Sequence, residues 1–237
     1  PGGSVIVPRR LRGMARWAER LGRRVVTTGP EGEVFAESLG TDGWGERYSV
    51  AGARGRLPQP GLHNLENVAS AAALCREMGA DVSQVVQALE DYPGVSRRLE
   101  RIGKLHGAVA VSDYAHHPDE IGAALAALRR VSDGGLGVVF QPHLYSRTRL
   151  LHRDMGAALA AADWTVVLPV YPAREAPIPG VTSQLVHTAC VRAGGTSTRC
   201  GTSELGHCLS GLDAGTVVFM GAGTVDRVAR RLVEEGS

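Results

Sequence analysis

The part of this chain best equipped for chemistry is the stretch from residue 111 to residue 120. Directly after an apolar run it carries an acid, a phenol and two imidazoles, which are Asp113, Tyr114, His116 and His117. Such groups exchange protons and bind polar ligands when a fold brings them together. For any one of them alone, capping a helix or bonding to a loop is the simpler interpretation. The four together favour a binding or catalytic site.

Two predicted strands position these groups. Apolar runs at 107–111 and 136–140 predict buried strands, and helices are predicted after them from Pro118 to Arg130 and from Thr148 to Ala161. Open α/β sheets bind their ligands at the carboxyl edge of the strands. The polar residues after the first strand, and those from Gln141 to Arg149 after the second, are therefore expected at that edge.

Six segments, taken in order along the chain, resemble the Mur ligase family. They are Gly61 to Asn67, Gly94 to Glu100, Asp113 to Pro118, Phe140 to Thr148, Tyr171 to Gly180 and Met220 to Gly223. Together they are far more specific than any single motif. The resemblance implies an α/β fold, with a partial central ATP-binding domain over residues 1–98. A Rossmann-like, doubly wound C-terminal ligase domain is implied over residues 99–237.

Within the family, the segments are most similar to the ligases that join L-alanine to UDP-N-acetylmuramate in peptidoglycan precursor synthesis. The resemblance implies a cytoplasmic enzyme that uses ATP and Mg²⁺. ATP would phosphorylate the muramate carboxylate, and the L-alanine amine would then attack the acyl phosphate and expel phosphate. Such a site needs cations, hydrogen-bond donors and exclusion of water.

The resemblance also implies which residues bind the nucleotide. Asn64 and Asn67 resemble the asparagines that face adenine. Arg98 is similar to a hinge arginine that reaches the nucleotide, and Asp113 to an acid that accepts the ribose hydroxyls.

A second group of residues resembles the family's amino-acid site. Tyr114, His116 and Arg147 are similar to the residues around the incoming alanine, with His143 among the substrate-binding residues. The resemblance implies that His116 and Arg147 are catalytic, and that the Arg147 guanidinium binds the alanine carboxylate. The sequence departs from the family at Leu144, where an arginine is usual, and this puts the amino-acid specificity in doubt.

Other parts of the family pattern do not occur in this sequence. The single lysine, Lys104, is not part of the Gly-Lys-Thr loop that cradles the ATP phosphates. The UDP-binding N-terminal domain and the central-domain glutamate and histidine that hold magnesium are also missing. We therefore interpret the chain as an incomplete part of such an enzyme, its second half, which is inactive alone and lacks the N-terminal half.

Two other classes of function stay open from the sequence. One is a non-catalytic module, derived from a Mur ligase, that binds a nucleotide or a precursor. The other is a metal hydrolase built on Asp113, His116, His117 and His143. A catalytic zinc site would show a recurring histidine spacing that is absent here, so no metal site is expected on these residues.

Composition excludes several partners. The formal net charge is +2, and the arginines near the N-terminus suit the solvated face of a helix, so we expect no nucleic-acid binding. No apolar run approaches the roughly 20 residues of a membrane span. The four cysteines, Cys75, Cys190, Cys200 and Cys208, form no close pair, which predicts free thiols.

The remaining pattern predicts the other elements. Residues 4–7, 9–21 and 24–28 suggest a βαβ fragment, and residues 29–60 suggest irregular β structure. The turn from Gly221 to Gly223 is too short a glycine pattern for a dinucleotide site. We expect it to serve turn geometry, and at most to add a supporting phosphate contact.

Overall fold

The computed structural model describes residues 3–211 and 213–236, which form two compact units, Pro1–Gly94 and Val95–Ser237. This division lies close to the boundary predicted after residue 98. Each unit has its own sheet structure and its own helices, and each is described by itself.

The first unit has a parallel pair of strands, an antiparallel sheet and three helices. Its elements are β1 (Ser4–Pro8), α1 (Arg12–Arg20), β2 (Arg24–Thr28), β3 (Ala36–Asp42), β4 (Gly45–Val50), β5 (Ala53–Leu57), α2 (Leu62–Glu77) and α3 (Val82–Glu90). The predicted βαβ fragment is present: β1 pairs with β2 in parallel, from Ser4 opposite Arg24 to Pro8 opposite Thr28.

The expectation of irregular β structure at residues 29–60 was wrong. Strands β3, β4 and β5 form a regular antiparallel sheet in that order. Ala51 and Gly52, both with positive φ, make the two-residue hairpin between β4 and β5. Tyr48 and Val50 are buried in one cluster with alanines of α2. Packing against this helix therefore stabilises strands that could not be recognised from their polar sequence.

The second unit contains a six-stranded sheet, in the order β10-β9-β8-β11-β7-β6. Its elements are β6 (Glu100–Leu105), β7 (Ala108–Asp113), α4 (Pro118–Arg129), β8 (Leu136–Phe140), α5 (Tyr145–Leu159), β9 (Trp164–Val167), α6 (Gln184–Arg192), β10 (Ser197–Arg199), α7 (Leu205–Leu209), β11 (Thr216–Met220) and α8 (Val225–Glu235). All neighbouring pairs are parallel except β6 with β7, which is antiparallel. The predicted, mainly parallel α/β sheet is confirmed.

Helices cover this sheet in two layers. On one face, α7 and α8 pack in a cluster that includes Val217 and Phe219 of β11. Val218 and Met220 alternate with these residues along the strand and therefore face the other side. There α4 packs against α5, and α5 against α6. Strands buried on both faces read as continuous apolar runs, which is why β8 and β11 were predicted correctly.

Strand β6 was not predicted, and its first residues fall where the domain boundary was expected. Its charged residues lie on an exposed edge strand, so its sequence lacks the apolar run of its neighbours.

The prediction of four free thiols was also wrong. Cys200 follows β10, and Cys208 in α7 returns to within 6.7 Å of it between Cα atoms, where the two form a disulfide. Cys75 and Cys190 are free.

Across residues 3–211 and 213–236, every helix is too short or too polar to cross a membrane.

Candidate functional site

Asp113 ends β7 and organises the loop that follows. Its carboxylate accepts the N–H groups of Leu99 at 2.8 Å and Ala115 at 2.7 Å, and its side chain is buried. Burial raises the pKa of the Asp113 carboxyl, although these two hydrogen bonds act in the opposite direction. Both oxygens are thus already engaged by the protein's own backbone, which gives Asp113 a structural role at the start of the site.

Tyr114 and His116 lie together after Asp113. Their rings meet edge to face, with centroids 5.4 Å apart. The guanidinium of Arg97 lies 4.6 Å from the centroid of the Tyr114 ring and that of Arg98 lies 5.7 Å from it. The Nδ1 atom of His116 is 2.9 Å from the Tyr114 carbonyl oxygen, so Nδ1 carries the proton in the neutral ring. The other nitrogen, Nε2, is then the acceptor.

His117 has a different role from His116. It is the N-cap of α4: its Nδ1 accepts the N–H of Asp119, and the Glu120 carboxylate accepts the backbone N–H groups of His116 and His117. Burial of the Glu120 carboxylate opposes its ionisation, but these donors hold its pKa below its usual range. The simpler capping interpretation therefore holds for His117, and this residue belongs to the helix start.

The residues after β8 complete the ring cluster. The backbone of His143 bridges to that of Tyr171, and their rings stack with centroids 5.6 Å apart. The His143 ring centroid also lies 6.0 Å from that of His116. One guanidinium nitrogen of Arg147, in the first turn of α5, is 3.4 Å from Nδ1 of His143. Tyr114, His116, His143, Arg147 and Tyr171 are the ring cluster referred to below.

The surroundings of His143 favour the neutral form of its imidazole. Burial lowers the pKa of its imidazole, and the positive charge of Arg147 lowers it further. A neutral imidazole with Nδ1 as an acceptor can orient the Arg147 guanidinium without repelling it.

Glu175 anchors the loop that carries Tyr171. Its carboxylate accepts both the backbone N–H of Ser146, at 2.9 Å, and the Ser146 hydroxyl. These hydrogen bonds hold the pKa of Glu175 below its usual range. They also cap α5, which explains why this helix begins at Tyr145 and not at Thr148 as predicted. Leu144 precedes this helix with a backbone φ of 68°, a strained value for a residue other than glycine.

The turn from Gly221 to Gly223 packs beneath this cluster. The Gln141 side-chain oxygen accepts the N–H groups of Thr224, at 2.8 Å, and Val225, at 3.1 Å. The Arg97 guanidinium donates to the carbonyls of Gly221 and Gly223. A Cβ atom on Gly223 would lie 2.4 Å from the Gln141 oxygen and 2.7 Å from the Tyr171 ring. Close packing requires glycine here, and the first N–H groups of α8 already have an acceptor.

Of the predicted nucleotide residues, two lie in the first unit. The Asn64 amide donates to the Pro60 carbonyl at 2.8 Å, and the Asn67 amide lies 3.5 Å from the Asn64 side-chain oxygen. Arg98 is exposed in the second unit, and Asp113 is buried there.

Four residues of this region were not singled out from the sequence: Arg97, Gln141, Tyr171 and Glu175. Each acts through a contact with a distant part of the chain, so no local pattern marks it. The pair of adjacent arginines and the polar residue directly after β8 were the available signals.

No group of three or more His, Cys, Asp or Glu within the described ranges is arranged to hold a metal ion. Asp113 bonds to backbone N–H groups and His117 caps a helix, so neither side chain is directed towards His116 and His143 as a shared ligand set. The geometry does not favour the metal hydrolase.

The sequence of this chain matches a family model and several known proteins. The family model described as "Mur ligase, glutamate ligase domain" matches residues 97–223. A UDP-N-acetylmuramate–L-alanine ligase from Streptomyces coelicolor is 38% identical over 247 residues, which cover 99% of this chain and 54% of the relative. One from Mycolicibacterium smegmatis is 38% identical over 252 residues, covering 99% and 52%.

A solved structure of the same kind of enzyme has a similar fold. A crystal structure of the UDP-N-acetylmuramate-alanine ligase MurC from Thermotoga maritima matches with a TM-score of 0.73 and 27% identity, covering 89% of this chain and 47% of that one. The chain spans about half the length of the curated relatives it matches. Since the family model covers more than half of the sequence, this chain belongs to the Mur ligase family.

Proposed function

We propose that this chain is the amino-acid-binding part of an ATP-dependent ligase that joins L-alanine to UDP-N-acetylmuramate in the synthesis of peptidoglycan precursors. The observation that carries the proposal is the ring cluster, where one guanidinium and two imidazoles converge at the carboxyl edge of the sheet. Relatives with 38% identity bear the name of this activity. For a reaction on these substrates we expect the cytoplasm as the location.

Arg147 is the proposed binding group for the alanine carboxylate. Its guanidinium is half-buried and oriented by the neutral His143, and Glu175 secures the start of the helix that carries it. A planar guanidinium binds a carboxylate through two parallel hydrogen bonds, which also sets the direction of the amine. His143 and Tyr171 then form an aromatic wall beside the amino acid.

His116 is the proposed proton acceptor. L-Alanine arrives as an ammonium ion, and one proton must leave before the nitrogen lone pair can attack the acyl-phosphate carbonyl. Nε2 of His116 is available for that proton because Nδ1 bonds to the Tyr114 carbonyl. The new C–N bond forms as the C–O bond to phosphate breaks. Tyr114, which contacts the Arg97 guanidinium with its face and meets the His116 ring edge to face, fixes the orientation of the imidazole.

The nucleotide assignments fit ATP unequally. The Asn67 amide is exposed and the Asn64 side-chain oxygen faces it, so both can meet the polar edge of adenine. Arg98 is exposed beside the Tyr114 ring, where its guanidinium can bind an anionic group. Asp113 fits less well, because a ribose hydroxyl would have to use the second lone pair of an oxygen that already accepts a backbone N–H.

Residues outside this chain are proposed to hold the ATP phosphates and Mg²⁺. The sequence has no Gly-Lys-Thr loop, and the described residues offer no cluster of ligands for a cation. ATP supplies the phosphoryl group that activates the muramate carboxylate. The residues of this chain bind and orient the amino acid that attacks it.

The test is a phosphate-release assay with UDP-N-acetylmuramate, ATP and L-alanine. The chain alone is expected to show no turnover. A chimera that joins it to the part of the S. coelicolor ligase outside the matched region is expected to release phosphate only when L-alanine is present. A chimera that binds substrates without turnover would instead identify a non-catalytic binding module.

Leu144 provides a second arm of this assay. Its backbone lies next to Tyr171, whose carbonyl accepts the Leu144 N–H at 2.9 Å. In the chimera, Leu144→Arg adds a cation beside Arg147 and is expected to lower the KM for L-alanine. A rise in the KM would show that position 144 does not face the carboxylate.

A further inference from the structure

The segment that leads into β6 has a strained backbone. Arg97 and Leu99 have φ values of 60° and 47°, in the left-handed region that residues other than glycine rarely adopt. Such a conformation persists only where the surrounding structure holds it. Contacts with the rest of the second unit must therefore keep residues 96–99 in place.

Two carboxylates hold this strained segment. Asp113 accepts the N–H of Leu99 at 2.8 Å. One oxygen of Glu100 accepts the N–H of Arg97 at 2.7 Å and the Ser96 hydroxyl at 2.9 Å. Burial opposes ionisation of the Glu100 carboxyl, but its hydrogen-bond donors hold its pKa below its usual range. Glu100 therefore accepts these hydrogen bonds as a carboxylate at neutral pH.

Arg230 of α8 holds the Glu100 carboxylate. Its Nη2 atom donates to the same Glu100 oxygen at 2.7 Å, and its Nε atom donates to Asp226 at 3.2 Å. Asp226 also accepts the hydroxyl of the buried Ser112 of β7, at 2.7 Å. An isolated surface ion pair would fix little, but a planar guanidinium shared between two carboxylates restricts both. Arg230 thereby joins the start of β6 to α8.

The strained segment in turn holds Tyr114. The Arg97 carbonyl accepts the N–H of Tyr114 at 2.7 Å, and the Arg97 guanidinium lies 4.6 Å from the centroid of the Tyr114 ring. The Tyr114 carbonyl is the partner of Nδ1 of His116. An unbroken series of contacts therefore runs from α8 to the His116 ring.

We propose that Arg230 is a positioning residue for the proton transfer from the alanine ammonium group. Through Glu100 it sets the orientation of Tyr114 and so keeps Nε2 of His116 as the proton acceptor. The catalytic consequence rests on the proposed function, whereas the effect on the His116 ring does not. Because Arg230 acts on the proton acceptor, its loss is expected to disturb proton transfer and to spare the binding of the carboxylate by Arg147.

The first measurement uses the chain alone. Nitrogen-15 NMR of the imidazoles, at a pH where His116 is neutral, reports which ring nitrogen carries the proton. The unaltered chain is expected to show His116 protonated at Nδ1. Arg230→Ala is expected to convert part of the population to the form protonated at Nε2. Arg230→Lys, which keeps a cation beside Glu100, is expected to restore the Nδ1 form.

Two further variants make this comparison specific. Arg231→Ala is the matched control, because it removes an exposed ion pair with Glu235 from the same helix. It is expected to leave the His116 tautomer unchanged. Glu100→Gln keeps the shape of the side chain but removes its charge, and it is expected to shift the tautomer in the same direction as Arg230→Ala. Circular dichroism melts show whether each variant is folded, and Glu100→Gln decides the question if Arg230→Ala is not.

The second measurement uses the chimera with L-alanine. Arg230→Ala is expected to lower kcat about tenfold and to change the KM for L-alanine by less than about twofold. A purely structural role would reduce the amount of folded enzyme and leave the His116 tautomer of the folded molecules as it was.

Three results would overturn the proposal. They are an unchanged His116 tautomer in the folded Arg230→Ala or Glu100→Gln variant, an equal shift caused by Arg231→Ala, or a raised KM for L-alanine with an unchanged kcat. A chimera without turnover in its unaltered form would contradict the proposed function instead. The NMR comparison would then still decide whether Arg230 orients the His116 ring.

Discussion

Gln141 is the best place to test how the sheet edge is held together. Its side chain is buried, and its oxygen accepts two backbone N–H groups at the start of α8 while its amide nitrogen is 3.2 Å from the Thr224 hydroxyl. Replacing Gln141 by leucine keeps a side chain of similar volume but removes the hydrogen-bond acceptor. The Thr224 and Val225 N–H groups would then lack a partner, and Val225 is fully buried.

The size of the loss follows from those two groups. A buried N–H without an acceptor costs about 1–3 kcal/mol. The additional apolar contacts of leucine offset about 1 kcal/mol of the total. We therefore expect Gln141→Leu to lower the free energy of unfolding by about 3 kcal/mol, which corresponds to a melting temperature roughly 10 °C lower for a unit of this size.

Thermal melts followed by circular dichroism, together with hydrogen exchange at Thr224 and Val225, measure the effect. Gln141→Glu is the matched control, because a carboxylate oxygen still accepts both N–H groups and suits a helix N-terminus. It is expected to lose about 1 kcal/mol. The capping role assigned to Gln141 would be refuted if the leucine variant had the same melting temperature as the wild type. It would also be refuted if both variants lost the same free energy of unfolding.

Three further predictions concern the site and the second unit. In the chimera, Arg147→Ala should raise the KM for L-alanine by about thirtyfold and leave the KM for ATP unchanged, with Arg149→Ala, two residues along α5, as the control. An effect on ATP alone would move Arg147 to the nucleotide site. The folded-state pKa of His143 lies below the ordinary 6.5, so the unfolded chain takes up its proton first as the pH falls. Urea titrations should therefore show stability decreasing below about pH 6.5, and less so for His143→Asn; an equal pH dependence of both proteins would contradict this. Residues 95–237 expressed alone should melt in one cooperative transition, since this unit has its own sheet and core. A broad melt would show that it needs the first unit.

Local patterns were sufficient for much of this protein. The alternation of apolar runs and amphipathic segments predicted the parallel sheet of the second unit, because strands buried on both faces must be apolar throughout. The start of α4 could also be predicted, since His117, Pro118 and Glu120 form its cap within one turn. Asp81 likewise caps α3 by accepting the Ser83 N–H. These interactions join residues close in sequence, so the sequence alone determines them.

Strand order was decided only by the tertiary structure. Strands β7 and β8 follow one another along the chain, but β11 lies between them in the sheet. The turn from Gly221 to Gly223 consequently enters the site, where Arg97 reaches carbonyls more than 120 residues away and Gln141 caps a helix more than 80 residues away. No short-range pattern encodes such pairs.

The sequence by itself thus determined the residue types of the site and the elements that carry them. It did not determine which loop each side chain would meet. The ring cluster depends on a loop that stacks Tyr171 on His143 and on Glu175, which joins that loop to α5. The Cys200–Cys208 disulfide depends in the same way on where α7 returns to the sheet. Contacts of this kind arise from packing of the whole unit, since they bring together groups whose own neighbours in sequence give no signal.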